Sequence, residues 1–283
     1  MPDLKQHLTS FGALAAEWEP SWLIDSIWQT NALNMLFGAP RARKTTLRRY
    51  LLACAFTQTP AFGLYKPGPA PKRALILLGE EILEAEGAYL HAAFRALGAD
   101  GKEFADRIDI LDAAAGVRFD SGAVEQLYEL VEEAAYDFIC IDPLINFHRQ
   151  NENDAASMSF VLARTKPLWN RATLVVIHHE AKPTESTAER TTGYRARGSS
   201  AIPGFTAVNA RLTRVEGTDF HRLVVEAKYA KVQPDLELHF KNGLWTLRKP
   251  EEEAKELKAQ GLSGSEIART LHKRKADVLK WTK

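Results

Sequence analysis

The chain predicts an α/β fold built on a mostly parallel sheet, and three observations carry that expectation. Short continuous apolar runs, Leu33–Phe37, Ala74–Leu78, Phe138–Ile141 and Ala172–Ile177, alternate with stretches of helical periodicity. Strands apolar on both faces belong to sheets covered by helices on both sides. Each run also ends on residues able to do chemistry: Gly38, Gly79-Glu80-Glu81, Asp142 and His178-His179. Ligands in open α/β sheets bind at the carboxyl ends of the strands, so one cleft is expected to gather these groups. Finally, 283 residues with 45% hydrophobic content suffice for one such core and a small appendage.

The elements follow in order. The segment to about Thr30 is aromatic (Trp18, Trp22, Trp28) and is expected to pack over an edge of the core. Leu33–Phe37 then runs as a buried strand into the loop at Gly38, and a helix over Lys44–Thr57 aligns Leu47, Leu51, Leu52, Ala55 and Phe56. The Pro/Gly-rich stretch Gly63–Pro71 ends that unit. The Ala74–Leu78 strand leads to a long amphipathic helix at about Ile82–Leu97, a short strand at Arg107–Leu111 and a helix at about Ser121–Ala135. The Phe138–Ile141 strand, a helix at about Ala155–Asn170 and the Ala172–Ile177 strand continue the alternation.

Lys182–Ser199 is polar and basic and is expected to form a long loop. β-like segments follow at Ala207–Val215, Arg222–Ala227 and Leu236–Phe240, with a turn at Asn242-Gly243. The charged run Pro250–Glu256 is a linker or a helix start, dividing the chain into residues 1–249 and 250–283.

A net charge of +1 gives no overall attraction to nucleic acid, so any such partner is held by local patches. Cys54 and Cys140 lie inside apolar runs and are expected to be buried free thiols. No apolar run approaches the ~20 residues of a membrane span, and the N-terminus carries no export pattern. A soluble cytoplasmic protein with no membrane partner is the expectation.

The sharpest motif is Gly38-Ala39-Pro40-Arg41-Ala42-Arg43-Lys44-Thr45-Thr46. It has the Gly, Lys and Thr spacing of a phosphate-binding loop, but Arg43 stands where the second glycine belongs. Strand, loop and helix occur in the required order, so backbone N–H groups at the helix start would meet phosphate oxygens. Gly38, Arg43, Lys44, Thr45 and Thr46 are the candidate nucleotide cradle. Lys44 would neutralise β/γ-phosphate charge and Thr45 would hold Mg²⁺. Arg43 carries a cost if its φ must be positive; its guanidinium either lies along the phosphates or points away. The plain alternative is a basic turn that binds no nucleotide.

Asp142 ends its strand where a metal-orienting aspartate is needed, although an ordinary strand-ending Asp looks the same in isolation. Glu80 is placed to polarise an attacking water, while Glu81 complements the dipole of the next helix. His178 and His179 close the fourth strand; His178 is taken as the phosphate-sensing residue against a purely structural histidine. Without nearby Cys or patterned carboxylates the pair makes a poor metal set.

In the tail, Ser263 and Glu266 form a possible capping box, a turn surrounds His272–Lys275, and a helix starts at Ala276. This is a helix-turn-helix outline. Arg269, Lys273, Arg274, Lys275, Lys280 and Lys283 outnumber Glu266 and Asp277, which favours phosphate contact. A solvated tail or an oligomer contact is the alternative.

Over about Trp22–Leu247 the chain resembles RecA-fold hexameric helicases of the plasmid RepA type and the phage and plasmid P-loop ATPases around them. The likeness rests on Trp22-Leu23-Ile24-Asp25, Leu77-Leu78-Gly79-Glu80-Glu81, Phe138–Asp142 followed by Asn146–Asp154, and Val175–Lys182 followed by Arg197–Ala201. It implies a RecA-like core, ATP and Mg²⁺, catalysis by Glu80, and a homo-hexameric ring with single-stranded DNA in its channel; duplex DNA at the tail is the expectation from the helix-turn-helix outline alone. It further implies that Arg197, with Arg195 or Arg211 as substitutes, reaches the neighbour's nucleotide, and that Lys228 of Ala227-Lys228-Tyr229 approaches the adjacent γ-phosphate. The departure is Arg41 and Arg43, where the usual loop has glycine. The expected function is an ATP-hydrolysing, helicase-like or DNA-remodelling ATPase of a mobile element. The alternatives are a nucleotide-gated DNA-binding or replication-control protein with little hydrolysis and, third, a small-molecule kinase.

Overall fold

The structure, a computed structural model, describes residues 9–11, 17–180, 201–215, 218–230 and 235–282. Two short strands, β1 (Trp22–Ile24) and β2 (Trp28–Gln29), pair ahead of β3 (Leu33–Gly38) and α1 (Lys44–Thr57). Then come β4 (Ala74–Leu78), α2 (Leu83–Ala96), β5 (Ile108–Asp112), α3 (Val124–Glu133) and β6 (Phe138–Asp142). The helices α4 (Ala155–Arg164) and α5 (Lys166–Trp169) precede β7 (Thr173–His179). After α6 (Ile202–Phe205) the chain forms β8 (Val208–Arg214), β9 (Phe220–Ala227), β10 (Leu236–Lys241) and β11 (Leu244–Leu247). Three short helices end it: α7 (Pro250–Ala259), α8 (Gly264–Thr270) and α9 (Lys275–Trp281).

The described residues form a nine-stranded sheet in the order β11-β10-β9-β8-β3-β7-β6-β4-β5. From β8 to β5 every pairing is parallel; β8 to β11 is an antiparallel meander. Strand alternation sorts the core into two layers. Leu36, Ile76, Phe138, Cys140, Val175, Ile177 and Leu212 pack on the face that carries α1 and α2. Met35, Phe37, Leu77, Ile141, Leu174 and Val176 pack on the opposite face with α3, α4 and α5. Cys54 and Cys140 are buried free thiols, as expected.

Three boundaries differ from the sequence expectation. The single helix over 155–170 is broken at Thr165, because Pro167 in the first turn of α5 cannot continue the α4 hydrogen-bond ladder. The aromatic N-terminal segment is a small hairpin that tucks Trp28 under the sheet, 5.5 Å from the Phe138 ring, while Trp18 stays exposed. Asn242 and Gly243 both take positive φ, the turn expected there, and β11 follows immediately as a strand the sequence did not single out.

The tail packs a core of its own, Ala254, Ile267, Ala268, Leu271 and Val278. The Ser263–Glu266 capping box is formed. Buried Arg248 ties this unit to the sheet: it pairs with Glu237 (3.3 Å) and Glu253 (2.9 Å), and it donates to the Leu271 carbonyl. No helix among the described residues is long and apolar enough to cross a membrane.

Candidate nucleotide-binding site

Strand register brings the sequence-predicted groups together. Gly38 lies opposite His179, and Leu78, just before Gly79-Glu80, lies opposite Asp142. At this common carboxyl edge Pro40, Arg41, Arg43, Lys44, Thr45, Glu80, Asp142 and His179 line a cleft of about 260 Å³. Gly38 has to be glycine: a Cβ there would overlap the Leu212 carbonyl oxygen of β8, which passes directly behind the loop.

Lys44 is the second residue of interest. Its Nζ donates to the Gly38 and Ala39 carbonyls at 3.0 Å each, curling the loop around the ammonium. Burial lowers its pKa, while Asp142, Glu80 and Glu180 oppose that shift. Thr45 Oγ1 donates to Asp142 Oδ1 at 3.2 Å, so hydroxyl and carboxylate share one spot beside the start of α1. Mg²⁺ prefers few protein oxygens together with water and phosphate, and this pair fits that demand.

Arg43 does not obstruct the cradle. It takes φ 64° and ψ 29° as the N-cap of α1, the left-handed conformation a glycine would supply. Arg41 does likewise at φ 63°. Each costs on the order of 1–2 kcal/mol relative to a relaxed backbone. The Arg43 guanidinium sits over the Phe240 ring of β10, 4.9 Å from its centroid. Backbone geometry is thus kept and the side chain is parked elsewhere.

Two of the histidine and glutamate assignments change. His178 is fully buried and faces Glu152, 3.5 Å away, on the α4 side of the sheet. Its neighbour His179 shares the α1 face with Ile177, because side chains alternate along a strand. His179 lines the cleft, its Nε2 3.7 Å from Glu80 Oε1. The histidine at the cleft is therefore His179, not His178. Glu81 does not cap α2, whose N-cap is Ile82; instead it meets Arg49 at 3.2 Å.

Sequence reasoning missed the charged layer behind the cleft. Arg48 is fully buried and bridges Glu86 (2.7 Å) and Asp142 Oδ2 (3.1 Å). Arg49 holds the other Glu86 oxygen at 2.6 Å. Burial alone would raise the Glu86 pKa, but the two guanidiniums overcome it and hold the carboxyl at about 2. The same carboxylates raise the Arg48 pKa against its own desolvation. Asp142 is thereby fixed from behind by Arg48 and from the front by Thr45. A signal existed: two arginines at 48 and 49 amid Leu47, Tyr50, Leu51 and Leu52, with Arg48 one turn beyond Lys44.

Thr46 belongs to an adjoining cavity of about 450 Å³, where Tyr89, Phe240 and Gly243 stand beside Arg43 and Arg49. Lys228 is not at the chain's own cleft. Its N–H bonds Ala207 and its Nζ donates to the Gly204 carbonyl, at the amino end of β8. The site edge is four residues further along β8, roughly 13 Å away. Arg211, the substitute candidate, is taken up by Glu180 at 2.5 Å. Arg195 and Arg197 lie outside the described residues.

A nine-stranded, mostly parallel sheet with this loop and carboxylate arrangement is the RecA-like P-loop ATPase fold. Residues 3–185 match the AAA domain family, and the chain belongs to that family. Among solved structures, it is similar to the ATPase domain of G40P, with 10% identity, a TM-score of 0.59, and coverage of 83% of this chain and 94% of that one. It is also similar to a KaiC-like protein from the hyperthermophilic archaeon Pyrococcus horikoshii OT3, with 13% identity and a TM-score of 0.52. That match covers 82% of this chain and 96% of the archaeal one. No curated protein matches the chain.

Proposed function

We propose that the chain is a Mg²⁺-dependent ATPase of the helicase type that works as a ring on DNA, in the manner of plasmid RepA. The observation that supports this most is the convergence of Lys44, Thr45, Asp142, Glu80 and His179 on one cleft at the start of α1. Backbone N–H groups of the first helical turn lack intrahelical partners and aim at that cleft, where the helix dipole favours anions. Among the described residues Lys44 has no acidic partner within ion-pair distance, and it has two carbonyl contacts it can exchange for phosphate oxygens. Thr45 and Asp142 would hold Mg²⁺, which screens the phosphate charge when bound. Glu80, exposed at the cleft wall, is the candidate base that orients water towards the terminal phosphorus. His179, within reach of Glu80, would report the presence of that phosphate.

The cavity of Tyr89, Phe240 and Gly243 beside Thr46 suits the nucleotide base. Lys228 is too distant to serve its own cleft, which favours action on a neighbour's nucleotide in a closed ring; Arg197 is the companion candidate. The three-helix tail, residues 250–283, is proposed as a separate unit that contacts duplex DNA through its basic helices, with single-stranded DNA in the ring channel. A mobile-element origin belongs to the same resemblance.

ATP turnover of the full chain, with and without single-stranded DNA, tests the proposal against Lys44→Ala. Turnover well above that variant and raised by DNA is expected. Turnover equal to it would leave the alternative, a nucleotide-gated DNA-binding protein that does not hydrolyse.

A further inference from the structure

Arg43 also borders a third cavity, which it shares with Phe240. This space, about 380 Å³, lies between the β8–β9 turn and β10. Its charged walls are Arg43, Arg214 and Lys241 against one carboxylate, Asp219. None of the three cations makes an ion pair among the described residues, and all three side chains are exposed. Two imidazoles, His221 and His239, complete the lining.

The histidines point to a ligand. His221 is 2% exposed, yet neither of its ring nitrogens has a hydrogen-bond partner among the described residues; Nε2 of His239 has none either. A buried polar atom left without a partner is costly, so a group that supplies partners there is favoured. His221 is held edge-on by the Trp245 ring at 5.0 Å, which fixes the imidazole rather than satisfying it. Burial first, then the charges of Arg43, Arg214 and His239, push its pKa down to about 4. A neutral imidazole offers one donor and one acceptor. Surrounded by excess positive charge, it is set to meet an anion.

We infer that this cavity is a second phosphate site, distinct from the nucleotide cleft, in which Arg214 and Lys241 supply charge, His221 supplies a buried hydrogen bond, and Arg43 forms the wall shared with the phosphate loop. The group recognised is a phosphate, carried either by a small polyphosphate or by a nucleic-acid strand. The chemistry favours phosphate over a carboxylate, because donors converge from three strands and a loop rather than as one planar fork. Because Arg43 borders both spaces, occupancy here holds its guanidinium away from the nucleotide.

The experiment uses the full chain carrying Lys44→Ala, which removes the first phosphate site, and titrates it calorimetrically with pyrophosphate. Binding is expected, weakened roughly tenfold or more by adding Arg214→Ala and Lys241→Ala, both exposed positions that leave the core intact. The His221 ring resonances are expected to move on titration, with the imidazole pKa rising as the anion offsets the positive charge of Arg43, Arg214, Lys241 and His239. A single-stranded oligonucleotide that displaces pyrophosphate, and is weakened by the same pair, identifies a nucleic-acid phosphate; no displacement identifies a free small anion. Absence of binding, affinity unaffected by the pair, or a motionless His221 ring would each overturn the inference. A failed ATPase assay would leave this site standing, since Lys44 plays no part in it.

Discussion

The parallel and antiparallel halves of the sheet place charge in opposite ways. In the parallel half, Arg48, Arg49, Glu86 and Asp142 are sealed behind the cleft and neutralise one another at 2.6–3.1 Å. In the antiparallel half, Arg214 and Lys241, joined by the Arg43 side chain reaching over from the phosphate loop, stand at the surface around two histidines with ring nitrogens unpartnered among the described residues. The first arrangement fixes a carboxylate that must not move; the second waits for a partner from outside. Paired buried charge is therefore a mark of pre-organisation here, and unpaired charge a mark of recognition.

The largest effect that sharpens this contrast is Arg48→Met. It leaves Glu86 and Asp142 short of a buried cation and is expected to destabilise the fold by about 3–5 kcal/mol, measured by chemical denaturation. It also frees Asp142, so nucleotide binding should require a different Mg²⁺ concentration, a readout that lost packing alone does not move. A loss under about 1 kcal/mol would break the claim that the layer is pre-organised.

Lys44→Ala follows, lowering ATP turnover on the order of 10²–10³-fold with little change in the unfolding midpoint. Arg214→Ala with Lys241→Ala, in the other half, should leave basal turnover within about twofold. Equal losses from both halves would erase the distinction.

Acid separates the halves by pH. Glu86, depressed from 4.5 to about 2, stabilises the fold above pH 4.5, and this is lost as pH falls through about 2. His221, depressed from 6.5 to about 4, stays neutral when folded while the unfolded chain takes up a proton below 6.5, so stability falls between those values. Each window spans on the order of 3 kcal/mol. Denaturation curves of His221→Gln should lose the upper window and keep the lower. The smallest expected effect is Ser263→Ala, about 1 kcal/mol of helix capping, seen only in the tail and not in turnover.

The parallel half was legible in the sequence because its strands are buried on both faces, so Leu33–Phe37, Ala74–Leu78 and Phe138–Ile141 stand out as unbroken apolar runs. Gly38, Lys44, Thr45, Glu80 and Asp142 could be placed from strand ends alone. What escaped was anything decided by side-chain direction. His178 and His179 exchange roles because of one step of strand alternation. Arg48 and Glu86 sit 38 positions apart and meet only when α1 packs on α2. The antiparallel half alternates polar and apolar residues, and β11 was lost within a four-residue run after its turn. Arg43 could be named but not aimed, since its direction depends on Phe240, nearly 200 positions away.

The central claim is that Arg43 supplies a glycine's backbone conformation while its side chain stays off the phosphates. Steady-state ATP turnover of the unaltered chain beside Arg43→Gly, with Lys44→Ala as the floor, tests it most directly. The account predicts that the unaltered chain and Arg43→Gly turn over within a few-fold of each other, both far above the floor. An unaltered chain at the floor, with activity restored by Arg43→Gly, would contradict it.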